Sequence, residues 1–214
     1  MLSVRLQAIA NLVNKDSIIA DIGSDHGLLP CFLAKEDLIK KAYAIDNKEG
    51  PLKFAYDNIE TYNLKDKVYP ILANGLDNLN SDVTSIVIAG MGFETIKMIL
   101  ESNFDKVLKV NQVIIQSNTE VSGLRKWIMD KKFLIEEEVI IKDNDKIYTI
   151  ISFNPQITKD YGNQSHYLSA YLLKNKDSLY VESLRERLIK LEEIIKFRQE
   201  KNLLDEYKTL KKVL

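Results

Sequence analysis

The 214-residue chain is 45% hydrophobic and has a formal net charge of −1, which suits one main domain with an appendage and excludes RNA binding through the charge of the whole protein. We expect neither a membrane span nor a signal peptide, because there is no apolar run of about 18 residues and Arg5 and Gln7 interrupt the first apolar segment. The single cysteine, Cys31, excludes an intramolecular disulfide and fits the cytoplasm, and with only two histidines a metal site is not expected.

The first predicted elements are a helix, a strand and a second helix. Apolar residues at helical spacing predict an amphipathic helix over 2–14, a short apolar run predicts a strand over 18–22, and a second helix follows over 28–36. An acidic glycine turn joins the strand to the second helix, and it contains Asp21, Gly23, Asp25 and Gly27.

This turn has the character of a ligand-binding loop. Its glycines let the backbone approach a ligand, but it lacks the G-x-G-x-x-G spacing of dinucleotide-binding proteins, and its carboxylates would repel a pyrophosphate. A cationic ligand fits better, and S-adenosylmethionine carries both an ammonium and a sulfonium group. The alternative is a tight turn with no ligand.

Four more apolar strands and a hairpin follow, with helices between the strands. The pattern predicts strands over 42–46, 68–72, 85–89 and 110–116, and a hairpin over 139–141 and 147–153. This order predicts an α/β, Rossmann-like, doubly wound sheet with an antiparallel last strand, in a domain over residues 1–155.

Polar or glycine clusters follow the predicted strands, at Asp46, at Asn74 and Gly75, at Gly90 to Phe93, and at Gln116 to Asn118. In such sheets the carboxyl ends of parallel strands share one edge, so we expect these residues to form one pocket with the first turn. An acid in the position of Asp46 is suited to a ribose diol, and Asn74 to an adenine edge.

The second predicted domain covers residues 156–214 and has 12 Lys and Arg against 9 Asp and Glu, a net charge of +3. Residues 157–176 are predicted to be mostly helical. Leu184, Leu188, Leu191 and Ile195 then repeat as in a coiled-coil seam, and a phase break over 199–202 predicts a helical coiled-coil hairpin. A packing or dimerising helix pair and an RNA-binding arm are both compatible with this pattern.

Four motifs together resemble the bacterial tRNA (adenine(22)-N(1))-methyltransferase family, TrmK. They are Asp-Ile-Gly-Ser-Asp-His-Gly-Leu-Leu-Pro at 21–30, Ile-Ala-Gly-Met-Gly at 88–92, Gln-Ser-Asn at 116–118 and Lys-Ile-Tyr at 146–148. The resemblance spans essentially the full chain. It implies a class I S-adenosylmethionine-dependent methyltransferase domain with a C-terminal coiled-coil hairpin, acting on N1 of an adenine in the D-arm region of tRNA. We also expect a cytoplasmic protein that is a monomer or weak dimer.

Candidate roles follow from the chemistry of that reaction. Attack by adenine N1 makes the ring cationic, so a carboxylate or a base near it would help, and Asp25 and then His26 are the catalytic candidates. Asn118 is the candidate for hydrogen bonding to the adenine, and Tyr148 or Phe93 for stacking on a flipped base. Cofactor binding is assigned to Asp21, Gly23, Asp25, Asp46, Asn74, Gly75, Gly90 and Met91.

Each role has an alternative. Asp25 is equally suited to bind only the cofactor ammonium, His26 to cap a helix and Tyr148 to sit in the core, and the sequence leaves open whether Arg5 contacts cofactor or RNA. The chain departs from the family pattern at Asn74, Phe93 and Ser117. A small-molecule methyltransferase of the same fold and a non-catalytic, cofactor-binding adaptor are the alternative functions.

Overall fold

The computed structural model describes residues 2–214 and has a seven-stranded mixed sheet at its centre. The strands are β1 (Ser17–Ile22), β2 (Ile39–Asp46), β3 (Val68–Leu72), β4 (Ser85–Met91), β5 (Gln112–Ser117), β6 (Phe133–Asp143) and β7 (Lys146–Thr158). The helices are α1 (Val4–Leu12), α2 (Leu28–Lys35), α3 (Glu49–Thr61), α4 (Phe93–Ser102), α5 (Phe104–Val107), α6 (Val121–Asp130), α7 (Ala170–Lys174), α8 (Ser178–Ile194) and α9 (Lys201–Val213).

The strand order across the sheet is β3-β2-β1-β4-β5-β7-β6. Strands β1 to β5 pair in parallel, whereas β7 is antiparallel both to β5 and to β6. This confirms the doubly wound sheet with an antiparallel last strand, although β7 lies inside the sheet and β6 forms the edge. The order reverses between β1 and β4, which is where sheets of this kind open a crevice for ligands.

Successive side chains of a strand point to opposite sides, so the sheet has two apolar faces. Helices cover both of them. Ile19 packs with Ile9 of α1 and Leu33 of α2, whereas Ile22, on the other face, packs with Ile96 of α4 and Leu124 of α6. Helix α1 also packs on β6 and β7, which brings its N-terminal turn close to the carboxyl end of β5.

The prediction of a mostly helical segment over 157–176 is wrong. Strand β7 continues to Thr158, and only Ala170–Lys174 is helical in this stretch. Between them the backbone turns at Gly162, whose φ is +52°. The hydroxyl of Tyr161 donates to the carbonyl of Phe133 at 2.6 Å, which ties this segment to the start of β6. The short helix α5 was not predicted.

The C-terminal helices α8 and α9 pack on each other, and α8 packs on β6. The connection between them spans residues 195–200, a few residues before the predicted break at 199–202. Leu184 and Leu191 of the predicted seam are buried. The boundary between domains 1–155 and 156–214 stays a prediction, and the structure has β7 running through it. Within residues 2–214, no helix combines the length and the apolar character needed to cross a membrane.

Candidate active site

The loops after β1, β2, β3 and β4 surround a cavity of about 380 Å³ at the carboxyl edge of the sheet. Its walls include Gly23, Asp25, Asp46, Asn74, Gly75, Gly90, Met91, Thr95, Met98 and Ile99. Seven of the eight residues predicted to bind cofactor therefore lie in one cavity wall. The eighth, Asp21, lies buried near the base of the same turn.

The turn after β1 is held by backbone bonds that depend on glycine. The N–H groups of Gly23 and Ser24 both donate to the carbonyl of Ile45 on β2, at 2.8 and 3.0 Å. Gly23 has a φ of +71°, and a Cβ there would collide with the Cε of Met91. Met91 could move its flexible end aside, so the left-handed backbone is the stronger reason for glycine at this position.

Asp46 joins the first two loops. Its Oδ2 accepts from the backbone N–H of Asp25 at 3.2 Å, and its Oδ1 accepts from the N–H of Lys48 at 3.0 Å. Its exposed fraction is 9%. Asp25 has a φ of +53°, a left-handed conformation that costs free energy in a non-glycine residue and is concentrated at functional sites.

Asp21 is a buried carboxyl group beneath the turn. Burial raises its pKa to about 6, although the hydrogen bond from Ser24 Oγ at 2.7 Å and the charge of Arg5 act in the opposite direction. The Asp46 carboxylate adds to the increase. The two acids give this end of the cavity a negative potential suited to a cationic ligand.

Asp25 and His26 point outward. Their side chains are 70% and 44% exposed, and Asp25 Oδ1 lies 3.5 Å from His26 Nε2. The His26 ring packs on Phe54 of α3, with 4.5 Å between the ring centroids, and His26 is not among the residues that line the cavity. The structure thus brings Asp25 to the rim of the cavity and His26 to the adjoining surface.

Asn118 directly follows β5, and its side chain contacts the backbone of Gly90 near the end of β4. Its Nδ2 donates to the carbonyl of Gly90 at 2.7 Å, and its Oδ1 accepts from Gln116 Nε2 at 3.1 Å. Gln116 is completely buried, and its Oε1 accepts both from the N–H of Gly90 at 3.0 Å and from Arg5 Nη1 at 2.9 Å. Asn118 itself is exposed, so it presents its amide beside the cavity.

The two aromatic candidates differ in what they contact. Phe93 lies against α6, where a Cβ on Gly123 would be 3.1 Å from its ring. Tyr148, on β7, has the guanidinium carbon of Arg5 5.8 Å from its ring centroid. Both lie near the Gly90–Asn118 side, and neither lines the cavity of Asp25 and Asp46.

Sequence reasoning missed some of the site. Met98 lies on α4 among apolar residues and was not among the predicted cofactor residues, yet it is 58% exposed and lines the cavity. Ile96, Ile99 and Leu100 are the buried stripe of α4, and the position of Met98 about 200° around the helix from Ile96 is the signal that places it on another face. The contact between Arg5 and Gln116 had no local signal, since it joins residues 111 positions apart.

The site is suited to hold two reactants in alignment. Its acids and backbone cradle suit a cationic, ribose-bearing ligand, and the amide of Asn118 suits a hydrogen-bonding acceptor placed next to it. Cys31 is buried under the turn, and burial raises its pKa to about 11, which keeps it a protonated thiol at neutral pH.

Comparisons with known proteins agree with this picture. Residues 2–151 match the family described as a methyltransferase domain. The tRNA (adenine(22)-N(1))-methyltransferase of Bacillus subtilis is 31% identical over 151 residues, which are 70% of this chain and 63% of that protein, so the match spans less than two thirds of its length.

Two solved structures are similar over nearly their whole length. Streptococcus pneumoniae Sp1610, a candidate tRNA (m1A22) methyltransferase in complex with S-adenosyl-L-methionine, is 33% identical with a TM-score of 0.89 and coverage of 100% of both chains. Mycoplasma capricolum TrmK, in complex with S-adenosyl-homocysteine, is 31% identical with a TM-score of 0.82 and coverage of 100% of this chain and 96% of that one.

Proposed function

Because the chain belongs to the bacterial tRNA (adenine(22)-N(1))-methyltransferase family, TrmK, we propose that it transfers a methyl group from S-adenosylmethionine to N1 of an adenine in the D-arm region of tRNA. The observation that carries the proposal is the meeting of an acidic, glycine-built cavity with the amide of Asn118 across the turn at Gly90. The cavity would bind the methyl donor, and the Asn118 amide would contact the methyl acceptor.

The residues present fit the cofactor. Asp46 is placed to accept from the ribose hydroxyls, and the carboxylates of Asp21 and Asp25 favour the ammonium and sulfonium charges. Asn74 and the apolar side chains of Met98 and Ile99 would hold the adenine. Bound S-adenosylmethionine supplies an electrophilic methyl group on its sulfonium.

The acceptor side is assigned to the residues beyond Gly90. Asn118 would hydrogen-bond the edge of the target adenine, and Tyr148 or Phe93 would stack on the base once it has left its own stack. Adenine N1 already carries a lone pair, so the main task of these groups is to align it, which is worth several kcal/mol in reactions of this kind.

Asp25 and His26 remain the candidates for stabilising the charge that develops on the adenine. The outward direction of both side chains and the backbone bond between Asp25 and Asp46 favour a first role for Asp25 at the cofactor. Substituting them separately decides between these roles. A cofactor residue changes the binding of S-adenosylhomocysteine, whereas a group that acts on the adenine lowers the rate at saturating cofactor and leaves that binding intact.

The helices α8 and α9 are proposed to form a coiled-coil hairpin that contacts tRNA. They contribute to a domain of residues 156–214 with a net charge of +3, and Lys196 and Arg198 flank Phe197, which is 88% exposed in the connecting turn. Residues at the start of α6, close after Asn118, line a cavity together with Arg187 and Glu206 of the hairpin. An arm at this place would lie beside the acceptor side.

The decisive test is methyl transfer from labelled S-adenosylmethionine to bulk unmodified tRNA, followed by nucleoside analysis. Label in 1-methyladenosine is the expected result. Absence of label in tRNA, with cofactor binding intact, would contradict the proposal in favour of a small-molecule methyltransferase or an adaptor. A steep loss of tRNA binding with salt is expected in the same preparation, since contacts to phosphates release counterions.

A further inference from the structure

Arg5 reaches from the first helix into the acceptor side of the site. Its Nη1 lies 2.9 Å from Gln116 Oε1, and its guanidinium carbon lies 5.8 Å from the ring centroid of Tyr148. Its backbone is also held, because its N–H donates to Asp143 Oδ2 at 3.2 Å at the β6–β7 turn. Arg5 is therefore held both at its backbone and at its guanidinium group.

Arg5 and the backbone N–H of Gly90 together fix the orientation of the Gln116 amide. Gln116 Oε1 accepts from two donors, Arg5 Nη1 and the N–H of Gly90, and a flipped amide would place an NH₂ group against both of them. Because Gln116 is completely buried, water cannot satisfy these groups, and the flipped orientation is strongly disfavoured. Gln116 Nε2 must then face Asn118.

The orientation of Asn118 follows from that of Gln116. Its Oδ1 accepts a hydrogen bond from Gln116 Nε2, so its Nδ2 faces the carbonyl of Gly90. One N–H hydrogen of Nδ2 and one lone pair of Oδ1 stay free on the exposed side. These are the groups that an acceptor base would meet.

We propose that Arg5 is a positioning residue of the acceptor site, which acts through Gln116 to fix the hydrogen-bonding face that Asn118 presents to the target adenine. The inference rests on the proposed function and deepens it by adding a residue from α1 to the same site. Arg5 also lies close enough to Asp21 to lower its pKa, so the guanidinium supports the donor side as well.

The test compares Arg5→Met and Arg5→Lys with Gln7→Met, a change on the same helix where the side chain bonds only to Asn11 on the surface. Methyl transfer is measured over a range of tRNA and cofactor concentrations. We expect Arg5→Met to lower kcat roughly 10- to 100-fold with little change in the KM for tRNA, because the bound acceptor is misaligned. Arg5→Lys, which keeps a charged donor, should recover much of this loss, and Gln7→Met should match the parent protein.

A double-mutant cycle separates positioning from general support of the fold. If Arg5 acts through Asn118, adding Arg5→Met to Asn118→Ala lowers kcat by little more than Asn118→Ala alone. Full multiplication of the two losses, or an Arg5→Met enzyme with kcat within twofold of the parent, would overturn the inference.

A spectroscopic readout keeps the inference separate from the proposed function. In ¹⁵N-labelled protein, the side-chain NH₂ signals of Gln116 and Asn118 should move in Arg5→Met and stay in place in Gln7→Met. If the parent protein makes no 1-methyladenosine but the signals move, the proposed function fails and the network stands. If the parent is active and the signals do not move, the role of Arg5 is wrong.

Discussion

The backbone N–H of Asp25 donates to the carboxylate of Asp46 across 3.2 Å, so the acid at the end of β2 also holds the turn that follows β1. Two loops that are separate in sequence thus depend on one side chain. A substitution at Asp46 acts on the cofactor site in two ways, by removing a ligand group and by freeing the strained backbone at Asp25.

We therefore expect Asp46→Ala to weaken the binding of S-adenosylhomocysteine roughly 30-fold or more, which corresponds to the loss of charge-assisted hydrogen bonds worth about 2 kcal/mol. Titration calorimetry measures this directly. The control is Asp66→Ala, an exposed acid just before β3, which should leave the affinity unchanged. A loss below threefold in Asp46→Ala would show that this carboxylate does not contact the ligand.

Asp21 should make the ligand-free protein less stable as the pH rises. Burial raises its folded-state pKa to about 6 from an ordinary value of 3.8, so between these values the folded protein keeps a proton that the unfolded chain has released. Its contribution to the free energy of unfolding therefore falls as the pH rises through this window and is lowest above pH 6.

Asp21→Asn cannot ionise, so it should stabilise the ligand-free protein by up to roughly 3 kcal/mol at pH 7.5 relative to its effect at pH 4. Urea unfolding at the two pH values is the measurement. The same change should weaken cofactor binding, because a carboxylate is lost. An equal change in unfolding free energy at both pH values would refute the linkage.

Gly23 and Gly50 make a matched pair for substitution by alanine. Gly23 has a φ of +71° and Met91 in the path of a Cβ, whereas Gly50 lies in the first turn of α3 with open space around it. We expect Gly23→Ala to cost about 1–2 kcal/mol of stability, chiefly from the left-handed backbone, and to disturb cofactor binding. Gly50→Ala should change stability by less than about 1 kcal/mol, because the helix propensity gained by alanine is offset by its Cβ beside the ring of Pro51. Thermal unfolding of both variants tests this, and equal effects would count against the role of φ.

The ion pair between Arg125 and Glu138 should behave differently from that between Arg187 and Glu206. The first pair is buried, with side chains 5% and 2% exposed, whereas Arg187 is 42% exposed. Arg125→Met leaves a buried carboxylate without its partner and should cost about 3–5 kcal/mol. Arg187→Met should cost about 1 kcal/mol or less.

The combined change of Arg125→Met and Glu138→Leu provides the check on this reasoning. It removes both charges and should cost much less than Arg125→Met alone, because no unpaired buried charge remains. Denaturant unfolding of the three variants gives the free energies. A double variant as unstable as the single one would show that packing around Arg125, not charge, is responsible.

Much of the fold could be predicted because strand and turn signals are local. The run over 18–22 lies inside β1, and the run over 68–72 coincides with β3. Most of the residues after β1 to β4 line one cavity, whereas Phe93 and Gln116 to Asn118 lie outside its walls. The segment 157–176 failed because its order comes from distant partners, such as the bond from Tyr161 to Phe133. The outward direction of His26, set by its packing on Phe54, depends on tertiary contacts in the same way.

The place of β7 inside the sheet has a consequence for how the chain folds as it is synthesised. Helix α1 is synthesised before β6 and β7, yet it packs on both of them, and β6 joins the sheet only through β7. Its contacts with α2 can form early, but the part of its surface that packs on β6 and β7 stays uncovered until the chain has been made as far as Thr158. Such long-range closure slows folding and exposes the nascent chain to aggregation, so we expect synthesis in a cell to depend on chaperones more than the modest length suggests.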